Sequence, residues 1–442
     1  MTLPDSFRGR RVALLGLGRA HKALAQALRV EGAEVLGFDR DPAKGGLLAD
    51  LGISGSCGEG YLEDAVRSRA SFCFLTPGMR KDIPEVRALV ADGCQLAAEA
   101  GYFFARRKAA VLGITGSAGK TTTTTLVTRM LLRSGVAATA CGNIGRAFAD
   151  ALRDEERTAI YVAELSSFQL QLVEQSPEIA AVLNIRPNHL DIHPSFEDYA
   201  QSKWHIARYQ RPEDLLVLPP DLLPEAQGAG RRATFSLAGP AAATILAGQL
   251  TLDGEPLMAA EEVRLPGRHN LENALAAALL ARAGGARAED IREELKTFSG
   301  VPHRLELVAE SSGVRFINDS IATAPDRTLA AFAAIAGPLL WLGGGYDKHL
   351  DYGVLKGHLA DVRRAFLFGP VGRLLLPVCQ GDGVPAQIYP DFAAAVAAAI
   401  GAAARGETVL LSPGAASYDA FRDFEQRGEA FRKLVTDALT PR

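Results

Sequence analysis

The stretch Gly113–Thr125, GITGSAGKTTTTT, decides how the rest of this chain is read. It follows AAVLGI, an apolar run that reads as a buried strand, and it precedes LVTRMLLRSG, which has helical periodicity and stops at Gly135. Five consecutive threonines are a poor opening for a helix, because a β-branched side chain loses rotamer freedom there. A functional reason is therefore needed. A glycine-rich turn between strand and helix exposes backbone N–H groups that can surround phosphate oxygens, and the positive end of the helix dipole adds to the attraction. In Gly116, Ser117, Ala118 and Gly119 the chain has such a turn. Lys120 can reach terminal phosphates, and the hydroxyl of Thr121, with Thr122 beside it, can meet Mg²⁺. Ile114 stands where the GxxxxGK[ST] pattern asks for its first glycine, so an unliganded glycine turn stays open as the alternative at this point.

Working outward, RRVALLGLGRAHKALAQALRVEGAEVLGFDR reads as a strand–helix–strand unit of parallel type. A dinucleotide fingerprint would need a third glycine at position 21, where His21 stands, so the NAD pattern is incomplete. SFCFLTPGM then ends a further apolar run in Thr76-Pro77-Gly78, a strand-end turn of the kind where ligands gather. Beyond the phosphate loop, TAIYVAELSSFQLQL reads as a strand entering a turn and helix, and Asp253-Gly254 as a hairpin turn. From about Ser299, apolar runs (GVRFIND, PLLWLGGG, RAFLFG, TVLLSPG) alternate with Ala/Leu-rich helical stretches. The expected class is α/β, with domains at 1–107, 108–298 and 299–442.

A chain of 442 residues exceeds one ordinary core, in keeping with several domains. The net charge of −3 excludes a general affinity for nucleic acid or an anionic membrane, so any basic site must be local. Five scattered cysteines without a CxxC pair point to reduced thiols rather than a disulfide framework or zinc site. The N-terminus lacks an apolar signal segment and no apolar run is long enough to span a bilayer. A cytoplasmic, monomeric protein without nucleic-acid partners or membrane insertion is expected.

The motifs GITGSAGKTT, CGNIG, ELSSFQL, NHLDIHPSFEDYAQSK, LPGRHNLEN, VPHRLE, NDSIAT, GGGYDKHLDY and LSPGAASYDAFRDFEQRG follow one another in an order that resembles the Mur ligases over nearly the whole chain. ELSSFQL and the closing motif are more specific than the phosphate loop. The resemblance implies three domains: Rossmann-like for a UDP substrate, central P-loop for ATP and metal, and a Rossmann-like C-terminal one for the incoming amino acid. It places Gly18, Asp39, Thr76 and Gly78 around the UDP moiety and Asn143 at the muramoyl portion. Lys120, Glu164, His189 and Lys203 become the catalytic set, with Thr121, Glu164 and His189 on Mg²⁺ and Lys203 carbamylated and able to join the metal. Taken singly, such a glutamate, histidine or lysine would be a packing or surface residue; the ordered set reverses that. Asn270, Asn273, Arg304 and Asp319, with His303 beside them, resemble ATP contacts. Thr323, Lys348, Ser417 and Phe424 occupy the positions that hold glutamate.

The implied reaction joins the carboxylate of UDP-MurNAc-L-alanine to the amine of D-glutamate through an acyl phosphate, at the expense of ATP. Two residues depart from the family pattern. Ala118 stands for an asparagine, and Ile321 for a lysine, which leaves an L-glutamate-adding ligase as an alternative. A folylpolyglutamate-synthase-like ligase and a nucleotide-binding scaffold without ligase activity are the others.

Overall fold

The computed structural model describes residues 3–187, 192–265, 267–335, 337–348 and 350–440. It is an α/β protein with three sheets, divided into two compact units, Met1–Phe298 and Ser299–Arg442. The first unit carries two of the sheets. One is five-stranded and parallel, in the order Ser54–Cys57, Glu34–Asp39, Arg11–Leu15, Phe72–Leu75, Gln95–Ala97. Strand order reverses beside Arg11–Leu15, so the turns at Gly16 and Thr76 meet at the carboxyl edge, where an open α/β sheet takes ligands. Phe72–Leu75 is buried at every position because helices cover both faces of such a sheet.

The second sheet has nine strands. Ala110–Thr115 lies between Ile179–Val182 and Ile160–Glu164, all parallel. The far edge ends in an antiparallel hairpin, with Leu252 paired to Glu255 across the turn at Asp253-Gly254, as the sequence indicates. The helix after the phosphate loop runs Lys120–Arg133 and so takes in all five threonines, earlier than periodicity alone places it. Tertiary packing overrides propensity here. The Thr125 and Thr128 hydroxyls donate to the carbonyls of Thr121 and Thr124 at 2.8 Å, while Thr121, Thr123 and Thr124 are buried.

The second unit holds a six-stranded sheet in the order Glu306–Ser311, Val314–Asn318, Thr408–Leu411, Leu339–Gly344, Val362–Phe368, Ala386–Ile388. All pairs are parallel except the first. The alanine-rich tract becomes the helix Phe392–Ala402, packed on that sheet through Phe392, Ala395, Val396 and Ala399.

Candidate active site

The phosphate loop leaves the carboxyl end of Ala110–Thr115 and enters the helix at Lys120. Gly119 has φ +84°, and a Cβ there would come within 2.2 Å of Asn273 Oδ1, so conformation and space both demand glycine. Asn273 thus stands against the loop, with Asn270 beside it. Asn184 clamps the loop at its one non-polar position. Its amide accepts from Ala118 N–H (2.9 Å) and donates to Ala118 C=O (3.1 Å). Ala118 is therefore held through its backbone, without a polar side chain of its own. Ser117 Oγ receives the Tyr199 hydroxyl (2.9 Å) and Arg186 N–H (2.8 Å), which ties the loop to the helix Phe196–Arg208.

Two lysines meet on one carbonyl. Lys120 Nζ donates to Gly116 O at 2.8 Å and Lys203 Nζ to the same oxygen at 2.9 Å. Lys203 is 1% exposed and lies over the Tyr199 ring. Burial, and then the charge of Lys120, hold its amine well below the usual lysine range. A solvated helix lysine would show neither feature.

Glu164 ends the neighbouring strand, paired in register with Ile114, and is 1% exposed. Asn143 Nδ2 donates to its Oε1 at 2.6 Å, while Oε2 is buried with no hydrogen-bond partner among the described residues. An orphaned buried carboxylate oxygen is costly unless a ligand completes it. A carboxylate oxygen, like the Thr121 hydroxyl at the helix start, is a hard donor of the kind magnesium takes. Among the described residues no group of three or more His, Cys, Asp and Glu side chains forms a metal cluster. His189 lies outside the described residues.

The ELSSFQL turn is a capping box, in which Ser166 and Gln169 satisfy each other's backbone N–H groups. Ser167 Oγ contacts His193 Nε2 at 3.0 Å, and His193 Nδ1 contacts Asp198 at 2.6 Å, so the segment after position 191 is fastened to that turn.

At the edge of the first sheet, a Cβ on Gly16 would clash with Thr76 at 2.7 Å. Asp39 accepts from the N–H groups of Leu17 (2.5 Å) and Asp41 (2.9 Å), which shapes the turn that carries Gly18. His21 fills the place of the missing third glycine and bonds Gly16 O at 2.6 Å through Nδ1. A cleft runs from Thr76, Gly78 and Lys81 to Glu99, Gln169 and Gln171. Sequence reasoning missed Glu99, since no motif marks it. It is 5% exposed, accepts from Ala149 N–H at 3.0 Å, and burial pushes its carboxyl up to about 7.

The native state therefore keeps a proton that the unfolded chain, near 4.5, has lost. Stability falls as pH rises through that window. Glu99→Gln keeps an acceptor for Ala149 and is expected to stabilise the protein by about 1–3 kcal/mol at pH 8 and by little at pH 4, measured by urea unfolding. A pH-independent difference would contradict this account. Asp319, also raised to about 7 by burial, adds a fall of the same sign in both proteins.

In the second unit the predicted residues gather at the carboxyl edge of the sheet. Asp319 accepts from Ser412 Oγ (2.9 Å) and Leu305 N–H (3.2 Å) beside Arg304. Lys348 lies over the Tyr418 ring, Ser417 is buried, and Phe424 starts the last helix with its ring edge-on to His303. Thr323 follows the turn that Ile321 N–H makes to His303 O.

A phosphate loop at the switch of a parallel sheet, with an adjacent buried carboxylate, defines a phosphate-loop nucleotide-using α/β protein. Residues 114–281 match the Mur ligase middle domain and residues 303–415 the Mur ligase glutamate ligase domain. The UDP-N-acetylmuramoylalanine–D-glutamate ligase of Symbiobacterium thermophilum is 39% identical, over 96% of this chain and 97% of its own. That of Acetivibrio thermocellus is 37% identical, over 97% of each. The solved UDP-N-acetylmuramate–alanine ligase of Thermotoga maritima shares the fold at a TM-score of 0.56 and 18% identity, over 97% of this chain and 100% of its own. The chain belongs to the Mur ligase family, on the branch of the UDP-N-acetylmuramoylalanine–D-glutamate ligases.

Proposed function

We propose that this chain is an ATP-dependent ligase that joins the carboxylate of UDP-N-acetylmuramoyl-L-alanine to the amine of D-glutamate, a step in building peptidoglycan precursors. One observation carries the reading: Lys120 at the start of one helix, Lys203 within another and the half-satisfied carboxylate of Glu164 at a strand end are gathered around a phosphate loop. A carboxylate is a poor acyl donor because oxide would have to leave. Transfer of the γ-phosphoryl group of ATP to it makes an acyl phosphate, which the glutamate amine attacks with loss of phosphate. Lys120 and the loop N–H groups offset the charge on the phosphoryl oxygens, so positioning and electrostatics carry the catalysis. Magnesium, held by Thr121 and Glu164 with His189 as a further ligand, would add positive charge there.

In this reading 1–107 binds UDP, with Gly18, Asp39, Thr76 and Gly78, while Asn143 faces the muramoyl group. The segment 108–298 binds ATP, with Asn270 and Asn273 beside the loop and Arg304 and Asp319 as further nucleotide contacts from 299–442. Thr323, Lys348, Ser417 and Phe424 take the glutamate. The enzyme works as a cytoplasmic monomer; among the described residues no helix is long and apolar enough to cross a membrane. The names of the near-full-length relatives favour D- over L-glutamate despite Ile321. Phosphate release with the muramoyl substrate and either glutamate enantiomer tests this. Release with D-glutamate alone is expected. Release without any glutamate marks a plain ATPase, and none with either enantiomer defeats the proposal.

Lys203 belongs to the same reading as a carbamate. Burial, and then the charge of Lys120, favour the neutral amine, whose lone pair can attack CO₂; a C–N bond forms and a proton goes to solvent. The resulting anion can bind metal, which the ammonium form cannot. Protein in ¹³C-bicarbonate is expected to show one carbamate carbon resonance that Lys203→Met lacks. Wild-type protein without that resonance would refute the assignment.

A further inference from the structure

Arg427, on the helix Phe424–Leu439, is fully buried, at 0% exposure. Its guanidinium makes four hydrogen bonds, and every acceptor is uncharged: Nε to Ser320 Oγ (3.0 Å), one terminal nitrogen to Ala416 O (3.1 Å), the other to Ser320 O (2.9 Å) and Ala415 O (3.0 Å). It makes no ion pair among the described residues; Asp419, the anion whose charge acts on it, stands beyond that distance. Burial lowers its pKa to about 9, which leaves it charged at neutral pH. A buried charge without a direct ion pair is expensive, and one set in the middle of a binding edge asks for a reason.

The place of these acceptors supplies the reason. Ser320 follows the strand Val314–Asn318, and Ala415 and Ala416 follow Thr408–Leu411. Gly345 follows Leu339–Gly344, and a Cβ there would come within 3.0 Å of the guanidinium. These three strands are neighbours in the centre of the sheet. Their loops continue directly into Thr323, Ser417 and Lys348 respectively. Ser320 Oγ also donates to Phe424 O at 2.8 Å, which ties the start of the last helix into the same knot. A planar fork with fixed donor directions suits this task, because it holds several carbonyls at set angles where a lysine could not.

We infer that Arg427 is the positioning residue of the acceptor edge: it ties two neighbouring strand-end loops together, packs closely against the third, and leaves there a positive charge without a direct ion pair, suited to an acidic amino acid. The inference rests on the ligase reading above and deepens it. Arg427 touches no reacting atom in this account. It acts through the loops, and through a field that is strong because the surroundings are dry.

The test is steady-state kinetics on the full chain with each of the three substrates varied in turn. Arg427→Gln is expected to raise the KM for D-glutamate by about tenfold or more and to leave those for ATP and the muramoyl substrate within about twofold. Arg427→Lys keeps the charge and loses the fork, and is expected to recover part of the glutamate affinity. Should circular dichroism show Arg427→Gln unfolded, Ser320→Ala takes its place, with about a threefold rise in the glutamate KM alone. Equal changes in all three constants, no change for glutamate, or a lysine variant no better than glutamine each overturn the inference. Wild-type protein that turns over neither glutamate enantiomer defeats the ligase reading instead. Normal wild-type turnover with an unmoved glutamate KM in the variants defeats this inference alone.

Discussion

Lys120→Met is expected to lower the rate of phosphate release by about a thousandfold, with the melting temperature nearly unchanged. The side chain starts the helix Lys120–Arg133 and returns over the loop to Gly116 O, so its ammonium sits among the backbone groups that would face phosphate oxygens. Methionine keeps the stem and the helix propensity and removes the charge together with its bond to Gly116 O. Negative charge that builds up during phosphoryl transfer then loses a partner in a poorly hydrated place, where such a partner counts most. Stability changes little because Lys120 is a half-buried residue on the loop side, while the core of this helix is made by Leu126, Val127, Met130 and Leu131. Rapid-quench measurement of the first turnover checks the prediction at the phosphoryl step itself. A loss below about tenfold would mean that the lysine only anchors the loop.

Glu164→Gln is expected to cost about a hundredfold or more in turnover while the protein melts at the same temperature or higher. Glutamine keeps the shape, and its carbonyl can still accept from Asn143, the contact seen at 2.6 Å. What disappears is a negative charge that is buried with one oxygen unmatched, an arrangement that weakens the fold unless a cation completes it. Magnesium dependence separates the two roles. The wild type is expected to gain thermal stability on titration with magnesium and ADP, and the variant to gain much less. Equal gains would remove Glu164 from the metal site and return it to packing.

The three α/β segments were legible before any coordinates, because parallel strands buried on both faces are short apolar runs bounded by glycine turns. The hairpin at Asp253-Gly254 was legible for a similar reason: the dipeptide itself favours the turn. The helix start at Lys120 was legible only through the phosphate loop, which opens into a helix, and not from propensity. Threonine propensity argues for a later start, and only packing against the strands Ala138–Gly142 and Ile160–Glu164 and the helix Arg268–Ala283 brings it forward. The site divides in the same way. Asn143, Glu164, Asn270 and Asn273 could be named from ordered motifs, and the fold brings the first two into one hydrogen bond and sets Asn273 against the loop with Asn270 beside it. Glu99, Asn184 and Arg427 carry no local pattern, since a lone glutamate, asparagine or arginine reads as surface until its burial is known.

By itself, then, the order of residues determined the phosphate loop and the strand ends around it, which depend on neighbours within a turn or two, and the family, which depends on the succession of such motifs along the chain. Tertiary structure alone decided that Lys203 reaches a carbonyl 87 positions away, beside a second lysine and out of water. It likewise decided that Arg427 ties two strand-end loops together and that the Glu99 carboxyl is pushed up to about 7. The physical reason is common to these cases: protonation state and field strength are set by burial and by charges from other segments, and neither exists until the chain has packed.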